Sequence, residues 1–162
     1  MPYSPINVSN NILKRAFQEK VDVSPMKLQK LLFFVASEYA KRTGKPMIDG
    51  NFQAWQYGPV VRSVYDEFRS FGGRAIRSYG KDAEGKSYQI KEASDPALHE
   101  SLDVVWNAAK NYSAVALSRI THIQGSAWAN SFSKSTFIPE EALKADQTYR
   151  SELGLPEIRN PR

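Results

Sequence analysis

The chain has 162 residues, of which 41% are hydrophobic and 24% charged, with a formal charge of +5 and no cysteine; this is the size and composition of one ordinary globular domain. The lack of cysteine excludes disulfides, thiolate metal sites and cysteine nucleophiles and suits a reducing cytoplasm, the longest apolar run, 31–36, is too short to cross a membrane, and residues 1–11 lack the pattern of a signal peptide. An excess of 22 Lys and Arg over 17 Asp and Glu points only weakly to nucleic acid or to an acidic protein partner, because the basic residues are spread along the chain and a solvated surface accounts for them.

Ser4-Pro5 places a capping residue before a proline, and Ile6, Ile12, Leu13, Ala16 and Phe17 follow at near-helical spacing, so a first helix is expected within 5–20. Ser24-Pro25 repeats the signal. There Leu28, Leu31, Leu32, Val35, Ala36 and Tyr39 recur at steps of three and four, leaving Lys27, Lys30 and Glu38 on the other positions of an amphipathic helix, which Thr43-Gly44-Lys45-Pro46 ends. An aromatic segment, 52–57, leads to Gly58-Pro59, which reads as the start of a third helix through Val60, Val61, Val64, Tyr65 and Phe68.

Residues 75–79 and 87–90 then read as short strands around the polar loop 81–86, which predicts an exposed hairpin. Asp95-Pro96 caps a fourth helix carrying Leu98, Leu102, Val105 and Trp106, and Ser113 opens a fifth that runs to about His122. The segment 125–137 reads as an irregular connection with one short turn, and Pro139-Glu140-Glu141 starts a last helix with an acidic first turn. The expected fold class is mainly α (α+β): a compact domain of about six helices with a small antiparallel β-hairpin, spanning 1–150, followed by a polar tail at 151–162 that is loosely held unless a partner orders it.

No chemistry assembles from these residues. The two histidines, His99 and His122, stand in separate predicted helices, so neither a catalytic constellation nor a metal site is expected. His99 reads as an exposed helix residue; His122, after an apolar helix and before Trp128, reads as partly buried and hydrogen-bonded. There is no phosphate-binding loop, no nucleophile elbow, and hence no implied cofactor. What remains is a set of aromatics, Phe52, Trp55, Tyr57, Tyr65, Trp106, Tyr112 and Trp128, most of which suit a core; an exposed subset would suit a contact site.

Two segments go beyond pattern. Lys27-Leu28-Gln29-Lys30-Leu31-Leu32-Phe33-Phe34 and Phe52-Gln53-Ala54-Trp55-Gln56-Tyr57-Gly58-Pro59-Val60, with Tyr65 after them, closely resemble the signature of the Panacea domain, the SocA-like antitoxin family that also includes phage-associated proteins. Leu117 to His122 followed by Trp128 resembles the family's Thr-His element and its tryptophan. The resemblance spans about residues 8–145; it departs from the family at Phe33, where a tyrosine is common, and at Ala127, where a proline often precedes the tryptophan.

The resemblance implies a mainly helical, non-enzymatic protein that binds and neutralises a cognate protein toxin, or hands that toxin to an AAA-type protease as an adaptor. The alternatives are a phage-encoded protein that binds a host factor and a nucleic-acid-binding regulator, with Arg74, Arg77, Lys81 and Lys86 of the expected hairpin touching phosphates. Membrane binding is not expected. The candidate partner-binding residues are Trp55, Tyr57, Pro59, Arg74, Arg77, Thr121, His122 and Trp128.

Overall fold

A computed structural model describes residues 2–134 and 136–158. Eight helices are present among them: α1 (Pro5–Glu19), α2 (Pro25–Thr43), α3 (Arg62–Phe68), α4 (Pro96–Ala109), α5 (Ala114–Thr121), α6 (Ala127–Phe132), α7 (Glu140–Ala145) and α8 (Thr148–Leu153). A two-stranded antiparallel sheet, β1 (Gln53–Trp55) and β2 (Gly58–Val60), lies between α2 and α3. The helix starts follow the capping signals: the side chains of Ser4, Ser24, Asp95 and Ser113 accept from the backbone N–H groups of Asn7, Lys27, Leu98 and Ala116. Ser126 caps α6 in the same way, so part of the 125–137 connection is helical.

Helix α2 is the axis of the molecule, in contact with α1, α3, α4, α5, α7 and β2. It is therefore buried nearly all round, and the amphipathic reading of it fails: Lys27, Gln29, Lys30, Ser37 and Glu38 are buried along with Leu28, Leu31, Leu32, Phe33, Phe34, Val35 and Ala36. A polar group inside a core must find a partner, and each of these does. Ser37 Oγ donates to the Leu143 carbonyl at 2.6 Å, and Glu38 accepts from Arg42, Tyr149 and Arg150. These bonds fasten α7 and α8 to the axis. Helix α8, which the sequence did not separate from α7, buries Tyr149 and Leu153; Leu155 packs against the core and the Pro156 carbonyl accepts from Arg150 at 2.6 Å. The end of the expected tail, 159–162, lies outside the described residues.

The hairpin stands in a different place from the one expected. Residues 75–90 form no strand; they run as a strap across α1, held by two neighbouring asparagines. Asn10 donates to the carbonyls of Gly80 (3.0 Å) and Tyr88 (2.9 Å) and accepts from Gly80 N (2.8 Å), while Asn11 exchanges bonds of 2.9 and 2.8 Å with Ile90. A carboxamide carries a donor and an acceptor side by side, like a backbone edge, so helix side chains replace the partner strand. Gly80 allows the close passage: a Cβ there would lie 2.7 Å from Phe68 and 2.8 Å from Ile6.

The actual hairpin occupies 53–60, with Gln53 opposite Val60 and Trp55 opposite Gly58. Pro59 thus belongs to a strand, and α3 begins only at Arg62. On the far side of β1, residues 136–138 add a short extension through Ala54 N to Thr136 O (2.8 Å) and Ile138 N to Phe52 O (2.9 Å). Among the described residues no helix is long and apolar enough to cross a membrane.

Candidate interaction site

The three sequence motifs meet at the tip of this hairpin. Consecutive backbone carbonyls of the turn each accept from a side chain of α5, α6 or the segment between them: Trp55 O from Trp128 Nε1 at 2.6 Å, Gln56 O from His122 Nε2 at 3.1 Å, and Tyr57 O from the Ser118 hydroxyl. From below, Lys30 Nζ donates to Pro59 O at 3.2 Å, and the Gln29 carboxamide exchanges bonds of 3.1 and 2.9 Å with Val61. Gly58, at φ +119°, closes the turn; a Cβ there would fall 2.7 Å from Lys30 Cε and 2.9 Å from Thr121 Oγ1, so both its backbone angle and its contacts require glycine.

Ring contacts rigidify the assembly. His122 sits edge-on to Trp128 with centroids 3.9 Å apart, Trp128 stacks on Phe132 at 4.6 Å, and Trp55 meets Tyr65 at 4.9 Å beneath the Arg62 guanidinium. Of the sequence-derived candidates, Pro59 and Thr121 are buried beneath the tip; Trp55, His122 and Trp128 are half-buried and hold it. Tyr57 projects outward and is 63% exposed. Phe132, Phe137 and Val115, none of them singled out by the sequence, are also exposed. Spacing places Val115 with Arg119 and His122 on one face of α5, but nothing in the sequence alone says that this face is uncovered.

Arg74 and Arg77 do not join this group. The Arg74 guanidinium turns back onto the carbonyls of Ser70 and Phe71, and Arg77 lies 3.6 Å from Asp22. Arg77, Lys81 and Lys86 stand on the strap, and Arg74 just before it, and none is on a protruding two-stranded wing.

The electrostatics of the tip favour neutral holding groups. Lys30 is 1% exposed, and burial without a facing carboxylate pulls its ammonium down to about 7. His122 is likewise lowered, first by burial and also by the nearby Lys30, against the opposing effect of its bond to Gln56. Its Nε2 faces a backbone carbonyl, so the ring serves as a strut, and among the described residues no carboxylate is hydrogen-bonded to it.

A charged cluster joins α1, the short turn Glu92–Ser94 and α4. Glu92 accepts from Arg15 (2.7 and 2.8 Å) and from Asn11, and the His99 ring lies between Glu92 (2.8 Å) and Asp103 (3.1 Å). Burial would raise the Glu92 carboxyl, but these donors outweigh it and hold it at about 2. Asp103 stands four residues after His99, a spacing legible in the sequence that the reading of His99 as a simple exposed residue passed over. The groove alongside is open and lined by both charge signs, including Lys14, Glu19 and Lys91.

Residues 28–129 match the family described as "Antitoxin SocA-like, Panacea domain". The chain is 32% identical over 124 residues to "Antitoxin SocA" of Caulobacter vibrioides (strain NA1000 / CB15N), an alignment covering 75% of this chain and 66% of that protein. It thus spans just under two thirds of that relative's length. No solved structure matches the chain at a significant level.

Proposed function

The chain belongs to the SocA-like antitoxin family with a Panacea domain, and from that premise we propose that it is a non-enzymatic antitoxin that binds and neutralises a cognate protein toxin through the hairpin tip. The observation that carries this reading is the division of labour at the tip. Lys30 of the first signature segment and Ser118, His122 and Trp128 of the third hold the second, the hairpin, by the carbonyls of Trp55, Gln56, Tyr57 and Pro59, which leaves Tyr57 and Phe132 presented on a fixed support. Rigid, exposed aromatics lose little entropy on docking and serve as anchors of protein contacts. Neutralisation proceeds by covering the toxin or by presenting it to an AAA-type protease, with the same face making the contact.

The test is co-expression with the protein encoded by the adjacent gene. That protein alone should arrest growth, this chain should restore it, and the Tyr57→Ala/Phe132→Ala double variant should fail to restore it while keeping its helical circular dichroism. A harmless neighbour, or one that the wild-type chain does not rescue, refutes the reading. Toxin half-life in a pulse-chase separates the two routes: it shortens with this chain present if a protease receives the toxin and is unchanged if the toxin is only covered.

A further inference from the structure

The segments 50–65 and 104–139, which build the tip, contain no carboxylate, although Asp66 stands beside Arg62. From residue 50 to 65 the only charged side chain is Arg62, and from 104 to 139 the charged residues are Lys110, Arg119 and Lys134. Lys110 is bound to Glu19 at 2.8 Å and so is not available. Arg62 lies 5.8 Å from the Trp55 ring centroid and shares a loose, exposed contact with Asp66 at 3.3 Å, which solvent screens. Arg119 and Lys134 are exposed, and neither side chain has an ion-pair partner among the described residues. Arg119 follows Val115 by one turn of α5 and so shares a helix face with that exposed apolar side chain, and Lys134 lies just beyond the end of α6, which Phe132 closes.

Interfaces between proteins combine an apolar, aromatic centre with a charged rim, and rim charges steer the encounter. We propose that the tip face docks a protein whose contact surface is apolar and acidic, its carboxylates meeting Arg62, Arg119 and Lys134 while its apolar side chains cover Tyr57, Val115 and Phe132. This rests on the toxin-binding reading above and adds the chemistry of the partner. A second copy of this chain is disfavoured as occupant, because two such faces would oppose cation to cation. Nucleic acid is disfavoured because three separated cations are few for tracking a phosphate backbone, and because Val115 offers an aliphatic contact that bases do not need.

The experiment measures association and dissociation of this chain with the purified protein from the adjacent gene, at 50 and 300 mM salt, for wild type, Arg119→Glu, Lys134→Glu and Tyr57→Ala. The charge reversals should slow association roughly tenfold at low salt and less at high salt, with dissociation little changed; Tyr57→Ala should mainly speed dissociation. If Tyr57→Ala weakens the complex while both reversals associate at the wild-type rate or faster, the face stands and the acidic partner falls. If all variants bind like wild type, the face itself is wrong. A neighbour that does not bind wild type overturns the toxin reading and this inference with it. Binding of a generic 20-base-pair DNA duplex at 50 mM salt that is abolished by the same reversals would assign the cations to phosphate and overturn the proposal.

Discussion

Lys30 is the residue at which sequence and structure diverge most. Helical spacing puts it on the polar side of α2, yet it is sealed under the hairpin with one carbonyl as partner. Its burial has a measurable sign. The unfolded chain holds the lysine proton up to the ordinary value of 10.5, whereas the folded chain releases it near 7; between these values the unfolded state binds more protons, so stability rises with pH. Lys41, lowered by burial to about 8, adds to the same slope. Thermal midpoints should therefore increase from pH 7 to pH 9, and Lys30→Met should flatten that increase; an equal slope in the variant would show that Lys30 does not titrate there. The sequence could not reveal this. It displays which positions are polar, but whether a polar position faces water depends on how many elements surround the helix.

At the scale of elements, what the sequence made legible was local and what it hid was tertiary. Helix starts are decided by a Ser or Asp side chain and a following proline, and α1, α2 and α4 begin at Pro5, Pro25 and Pro96 as expected. The same rule misled at Pro59, where proline sits in a strand because its missing N–H is not needed on the side facing away from β1. The strap misled for the opposite reason. Its alternation suits strands, but its hydrogen bonds go to Asn10 and Asn11 on α1, and no local pattern announces a carboxamide seventy to eighty residues away. Asn10→Ala should cost about 1–3 kcal/mol by leaving buried strap groups unpaired. It should also speed tryptic cleavage after Lys81 and Lys86. Unchanged urea stability together with unchanged cleavage would remove Asn10 from that role.

Across the whole molecule, the proposed function assigns holding and contacting to different residues, and the two are separable by experiment. Trp128→Ala removes the bond to Trp55 and two ring contacts and should lower urea stability by about 2–4 kcal/mol. Tyr57→Ala, at an exposed site, should stay within about 0.5 kcal/mol of wild type yet lose growth rescue. A Tyr57 variant that unfolds, or that rescues fully, would break the separation. The family motifs and Tyr57 within them were thus visible in the sequence, while the exposure of Val115 and Phe132 was not: motifs mark the shape of the support, and exposure is decided by what the rest of the chain leaves uncovered.

The grip of α2 on the outer side of β2 has one more consequence. Pro59 offers no N–H there and its carbonyl is taken by Lys30, while both backbone groups of Val61 are taken by Gln29. Residues 136–138 occupy the other side of β1. A small sheet with free edges would recruit extended chains indiscriminately, from a nascent polypeptide to another copy of itself. Here that route to aggregation is closed by two helix side chains. A partner at the proposed face would be recognised by side chains and not by strand pairing, so selectivity could change by surface substitution at Tyr57 and its neighbours without exposing a sticky strand.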